Sequence, residues 1–316
     1  MRFSLDDDRE ALRATARDLL AELCPPAAVR AAWTQEPDPS AWHALADAGA
    51  LAVLVPESEG GLGLDETYLV GVVEEAGRAA LPHPLTATAL VAAPLGVAGT
   101  TVTTDLGASS AIVPAATYAE AFLLRSDDGL RLYGADEVEI EPVETVDSSR
   151  HCARVHPRGA GELVTGDAAA TEAAFERGVL GTAAELLGLS HRMLELTVGY
   201  AAQRHQFGKP IGSFQAVKHH LANARIQIEF AAPAVLYAAY AVAHGRGDAS
   251  RAVSQAKWLA GNTASVMGRA ALQCHGAIGY TTEHDLHLYL KRSWALARSW
   301  GGAGFHADRV AASIGL

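Results

Sequence analysis

Cysteine is scarce in this 316-residue chain: Cys24, Cys152 and Cys274 are odd in number, widely spaced and form no C-x-x-C pair. That excludes a disulfide framework and fits free thiols in a reducing compartment, with the cytoplasm as the expected location. Cationic excess is also lacking. The net charge is -11 and the basic residues are scattered among acids, so a phosphate-backbone partner is excluded and no nucleic-acid partner is expected. Met1-Arg2-Phe3 passes straight into Asp6-Asp7-Asp8 without the basic-then-apolar order of an export signal. The most apolar window, Leu85 to Val102, is interrupted by Pro94, Gly and Thr, which points to a buried core helix rather than a membrane span. Neither H-E-x-x-H nor a P-loop is present. His284 and His287, with His275, Glu283 and Asp285 nearby, therefore make no recognised metal set, and the expectation is no metal.

Hydrophobic residues make up 49% and charged residues 19%, enough apolar surface to offset the entropy of ordering the chain. The length suggests two or three subdomains. Asp6 to Asp8 precede an apolar stripe at Leu12, Ala16, Leu19 and Leu20, a helix that Pro25-Pro26 ends. Further helices are expected from Ser40 and over Asp65 to Arg78, on either side of the Glu59-Gly60-Gly61-Leu62-Gly63 loop. From about Thr101 to Thr165 the runs 111–114, 122–124 and 138–140 are short and broken by Asp127-Asp128-Gly129 and prolines, a strand signature. Helical spacing returns with Leu180, Ala184, Leu187, His191, Leu194 and Val198. It resumes after Gly208 to Gly212, with Ser213 as the expected N-cap and Phe214, Val217, Leu221, Ala224 and Ile228 as the stripe. The adjacent His219 and His220 read as one core and one surface residue. Helices over Ser250–Gln273 and Glu283–Trp300 follow. The expected fold is mainly α with a small β domain: an N-terminal helical domain (1–100), a short β module (101–166) and a C-terminal four-helix bundle (167–316).

The most specific string is Arg204-His205-Gln206-Phe207-Gly208-Lys209-Pro210-Ile211-Gly212-Ser213-Phe214-Gln215. An arginine at a helix end beside a glycine turn can offer a forked cation to a diphosphate, while an aromatic covers a planar ring. The same residue types also suit a helix-terminal charge, a core phenylalanine and a C-cap glycine. The string resembles the R-x-Q-F-G-x-x-I-x-x-F-Q signature of the acyl-CoA dehydrogenase family. About seventy residues later, Gln273-Cys274-His275-Gly276-Ala277-Ile278-Gly279-Tyr280-Thr281-Thr282-Glu283 is similar to the family's Q-x-x-G-G-x-G-[YF]-x-x-E motif, with Ala277 in place of its second glycine. Pro56-Glu57 through Gly60-Gly61-Leu62-Gly63, and Glu74-Glu75-Ala76-Gly77-Arg78, match family positions near the N-terminus.

The resemblance implies FAD lying across a subunit interface, with Arg204, Phe207, Gln273 and Gly276 holding the FAD of a neighbouring subunit. It also exposes departures. Neither a T-E-P-x-x-G-S-D-like loop nor a W-I-x-N-like strand occurs in 101–165, so this subunit lacks its own flavin-ring wall. Gly301 stands where many members carry the catalytic Glu of a Y-E-G-T-like string, leaving no confident catalytic residue. Glu176 and Glu185 lie on the helix from which other members draw a base, but neither is in register. Such chains resemble the smaller subunits of heteromeric dehydrogenases of steroid and related acyl-CoA breakdown. The implied function is a share in the α,β-desaturation of an acyl-CoA thioester, with a larger acyl-CoA dehydrogenase-like subunit bringing the base and an electron-transfer flavoprotein as a possible acceptor. A scaffold that binds no flavin and a homo-oligomer with altered chemistry are the alternatives. Gly301, Gly302 and Gly304 suggest a roomy pocket for a ring-bearing acyl group.

Overall fold

Local capping sets the first elements. The Asp6 carboxylate accepts from the Arg9 amide at 3.0 Å and starts α1 (Asp7–Leu23), and Pro25-Pro26 separates it from α2 (Pro26–Ala31). After α3 (Ser40–Asp47), Asp65 caps α4 (Glu66–Ala79). The computed structural model describes residues 6–107 and 112–316; Met1 to Phe3 and the Ala111 end of one expected strand run lie outside them. The window at Leu85 folds as a buried π-helical segment, Thr86–Ala92, that a short turn ending at Leu95 terminates before Val102.

Strands occupy the middle of the chain. β1 (Val102–Thr103) pairs in parallel with β3 (Ala121–Ser126), which forms a hairpin with β4 (Gly129–Gly134). β2 (Ile112–Val113), β5 (Val138–Pro142), β6 (Ala153–Pro157) and β7 (Glu162–Thr165) complete two sheets, ordered β1-β3-β4-β7 and β2-β6-β5. Val113, Phe122, Tyr133 and Val138 give this module a small core of its own. The helices share a second, larger core.

Asp167 caps α5 (Ala168–Gln203), the central element, against which α4 packs on one side. Two glycines allow that approach. A Cβ at Gly77 of α4 would overlap the backbone of Glu185, and one at Gly188 of α5 would overlap the carbonyl oxygen of Glu74. A hairpin of β8 (His205–Gln206) and β9 (Lys209–Pro210) turns the chain into α6 (Gln215–Ala243), followed by α7 (Ala249–His275), α8 (Leu286–Leu296) and α9 (Ala303–Ser313). Phe214, not Ser213, is the N-cap of α6; the Ser213 hydroxyl instead donates to Pro210 O at 2.8 Å. α8 is shorter than expected at both ends. His219 and His220 are both exposed, because the core stripe of α6 passes through Ala224, Ile228 and Val235 and leaves both outside it. α6 is long and apolar enough to cross a membrane, but it sits between α5 and α7 with the Arg225–Glu229 pair on its outer face.

One buried cation joins all three regions. Arg292 of α8 donates to Leu81 O (2.7 Å), to Ser149 Oγ (2.9 Å) and to the Asp147 carboxylate, with every group buried. Burial alone would raise the Asp147 pKa, but Arg292 and Ser149 hold it below the usual carboxylate range. Removing one partner would leave an uncompensated interior charge. Asp147→Ala is expected to cost about 3–5 kcal/mol in chemical denaturation, and a loss under 1 kcal/mol would contradict this role.

Candidate functional site

The bundle's topology gathers the two sequence motifs at one end. α5 and α7 both run antiparallel to α6, so their C-termini and the α6 N-terminus lie together. Contact between the motifs is direct: Tyr200, one turn before Arg204, stacks on His275 with ring centroids 4.4 Å apart, and His284 meets His275 edge-on at 4.6 Å.

The 204–211 segment turns its side chains outward. Arg204 N donates to Tyr200 O at 2.8 Å and Ile211 N to Arg204 O at 2.7 Å, closing the base of the β8–β9 hairpin. Phe207 and Gly208 form its tip with φ of +54° and +80°, as a two-residue hairpin turn requires. Phe207 is 91% exposed, so the core alternative is wrong for it. The Arg204 guanidinium is exposed and has no ion-pair partner among the described residues. Behind the hairpin, Lys209 Nζ lies 4.4 Å from the Phe214 ring centre, and the first turn of α6 has no side-chain cap.

At the end of α7, Gln273, Gly276 and Ala277 face outward, while Cys274 and His275 are buried. Gly276 has φ +66° and ψ -141°, a region nearly closed to L side chains, and nothing lies within 4 Å of where its Cβ would be. The Ala277 methyl is on the exposed side. His275 Nδ1–H donates to Ala271 O at 2.8 Å, and burial depresses its pKa, so the ring is neutral. Its Nε2 is buried without a hydrogen-bond partner among the described residues. Tyr200 and His275 carry no motif status in the sequence; helical spacing from Arg204 and adjacency to Gly276 are the signals that could have found them.

The interior offers a contrasting site. Between the N-terminal helices, the β module and α5 lies a cleft of about 50 Å³ lined by Thr86, Thr182, Glu185, Arg292 and Trp300. Small-molecule pockets usually span about 300–1,000 Å³, so this space holds a few waters and no acyl chain. Glu185 faces this cleft. Burial pushes its carboxyl pKa up, and the Thr86 hydroxyl, 2.5 Å away, opposes the shift by donating to it. Glu176 is elsewhere, 3.4 Å from Arg309; burial raises its pKa too. Gly301 has φ +98°, and a Cβ there would lie 2.5 Å from Phe305 Cδ1 and 2.9 Å from His306 Nε2. A side chain at that position would have to displace the Phe305 and His306 rings. A wider hollow of about 540 Å³ opens between the β module and α9, with Arg309 on its rim. His287 is buried between Arg30 (3.1 Å) and Trp33, whereas His284 caps the amide of Leu286, and among the described residues no group of three or more such side chains is placed to hold a metal ion.

Known proteins share this fold. Residues 6–105 match the family model "Acyl-CoA dehydrogenase, N-terminal domain" and residues 165–314 match "Acyl-CoA dehydrogenase, C-terminal domain". The chain is 33% identical to acyl-CoA dehydrogenase IpdE2 of Mycolicibacterium smegmatis over 98% of its own length and 100% of that protein's. It is also 33% identical to acyl-CoA dehydrogenase FadE34 of Mycobacterium tuberculosis, over 96% of this chain but only 47% of FadE34. Among solved structures, a variant of the Tcur3481–Tcur3483 steroid ACAD superposes with a TM-score of 0.86 at 28% identity, covering 98% of each chain.

Two outcomes follow from this geometry. Because their side chains contact little, Arg204→Ala and Phe207→Ala should each change the stability of the isolated chain by less than about 0.5 kcal/mol, measured by thermal unfolding. His306 is buried, and burial lowers its pKa to about 4. Unfolded, it would titrate near 6.5, so its contribution is complete above about 6.5 and is lost as pH falls toward 4. Relative to His306→Gln, the wild-type chain should lose roughly 2–3 kcal/mol over that interval; parallel curves would contradict the shift.

Proposed function

The chain belongs to the acyl-CoA dehydrogenase family of oxidoreductases, and from that membership we propose that it is the supporting subunit of a heteromeric, FAD-dependent enzyme that desaturates an acyl-CoA thioester. One observation carries this reading: the cofactor-type residues face outward at one end of the bundle, while the chain's own cleft is closed by Trp300 and position 301 offers no carboxylate. Arg204, Phe207, Gln273 and Gly276 fit a cofactor presented from outside. The exposed guanidinium and the uncapped α6 N-terminus suit a diphosphate, Phe207 can cover a ring, and open space at Gly276 lets the backbone approach. When bound, FAD supplies the two-electron acceptor for the hydride leaving Cβ. The Cα proton needs a positioned carboxylate, and the partner provides it.

Three further features support a partner of similar fold. α6 carries an outer apolar stripe at Ile226 and Phe230, the latter 69% exposed, where an isolated chain would leave hydrophobic surface in water. In FadE34, a segment like this chain is continuous with about as much polypeptide again. The Tcur3481–Tcur3483 relative carries two component names and the description steroid ACAD, which favours a ring-bearing acyl group accommodated by the partner. Electrons then pass to an electron-transfer flavoprotein.

Flavin absorbance on the chain alone and after co-expression with a larger acyl-CoA dehydrogenase-like subunit tests the proposal. Yellow protein is expected only in the co-complex, and Arg204→Ala should weaken flavin retention about tenfold or more, the loss of a charge-assisted hydrogen bond worth roughly 1.5–3 kcal/mol. A yellow homo-oligomer would overturn the partner requirement, and colourless protein in both preparations would favour the scaffold alternative.

A further inference from the structure

The loop over 297–302, between α8 and α9, sends one large side chain into the interior. Trp300 is only 5% exposed although its φ is +58°, a conformation uncommon for a bulky L residue. The indole packs on α5 at a glycine: a Cβ at Gly178 would overlap the ring. Phe175 flanks it at 6.1 Å between ring centres, and its other neighbours across the cleft include Thr182 and Glu185. On the opposite side, Trp300 Cα would lie 3.4 Å from a Cβ at Gly107. Gly178 thus makes room for the indole, while Gly107 lies against the backbone of Trp300.

Hydrogen bonds hold the loop rather than the ring. His306 Nε2 donates to Trp300 O at 3.0 Å, and the buried Lys257 Nζ donates to Ala297 O and Gly301 O at 3.3 Å each. Arg150 Nη2 reaches Ser299 Oγ at 3.3 Å from the β module. A buried amine that donates to two backbone carbonyls of one loop fixes that loop's position. Burial lowers the Lys257 pKa to about 8, with Asp105 opposing the shift.

We propose that Trp300 is a built-in occupant of this chain's own acyl-binding cleft, pinned by Lys257 and His306, and that its indole is what excludes a substrate chain. This rests on the reading of the cleft as the one in which a catalytically complete family member would hold its acyl group. Replacement of the indole then leaves a space of its own shape, walled by Phe175 and by α5 at Gly178 with Thr182 and Glu185 at its polar end, able to take a flat aromatic ligand that carries an N–H.

The test uses the full-length chain, without partner or flavin, carrying Trp300→Ala, with indole as the probe. The variant is expected to unfold at a lower temperature than wild type, to bind one indole per chain saturably in calorimetric titration, and to regain part of the lost midpoint with indole. Wild type should show neither response. A folded variant that binds no indole, or wild type that binds it equally well, would overturn the proposal. If Trp300→Ala does not fold, Trp300→Leu with benzene gives the same two outcomes on a smaller cavity. For the pin, Lys257→Met should increase acrylamide quenching of Trp300 emission, taken as the difference from Lys257→Met/Trp300→Phe; unchanged quenching removes Lys257 from the proposal. None of these readouts involves flavin, so they can fail while the partner reading stands, and the reverse.

Discussion

The structure depends on where the Arg292 guanidinium goes. Taking a charge out of water is favourable only if its donors are met. They are met here by groups from different parts of the chain: Leu81 O after α4, and Asp147 and Ser149 beyond β5. Satisfying one side chain therefore fixes the β module against the N-terminal helices and α8 together. The cleft between them inherits its small volume from that closure, and the loop that follows α8 starts from a fixed point. A buried ion pair of this kind specifies an arrangement more than it adds net stability.

From this constraint comes a division between inside and outside. Inward, the cleft has a carboxyl at Glu185 whose pKa burial raises and an indole at Trp300, and the next residue is a glycine crowded by Phe305 and His306. Outward, the ends of α5 and α7 display an arginine, an aromatic, an amide and an open glycine. The buried His275, neutral and stacked on Tyr200, is the local reason that Gln273 and Gly276 stay registered with Arg204.

Much of this was legible in the sequence. Period-four apolar spacing marked α5 and α6, the Asp-Asp-Gly turn marked the β3–β4 hairpin, and the Arg-x-Gln-Phe-Gly string located the exposed end of the bundle. The absent glutamate at Gly301 was visible as a gap in a pattern. Contacts between distant segments were not legible. Nothing local shows that Trp300 meets Gly178, that Arg292 meets Asp147, or that Phe207 is held outward by a turn rather than packed inward. His219 and His220 were misassigned because alternation on a helix surface says which residues differ in direction, not where the core stripe runs. Ser213 looked like a cap from its residue type, but its hydroxyl is satisfied one turn earlier by Pro210 O.

The central claim is that this chain completes a cofactor site in its neighbour and holds none of its own. Flavin stoichiometry in the purified assembly tests that most directly, by extracting the flavin and dividing by the concentration of each chain. One flavin for each pair of unlike chains is the result the account requires. One flavin for every chain, with this chain's cleft occupied, would contradict it.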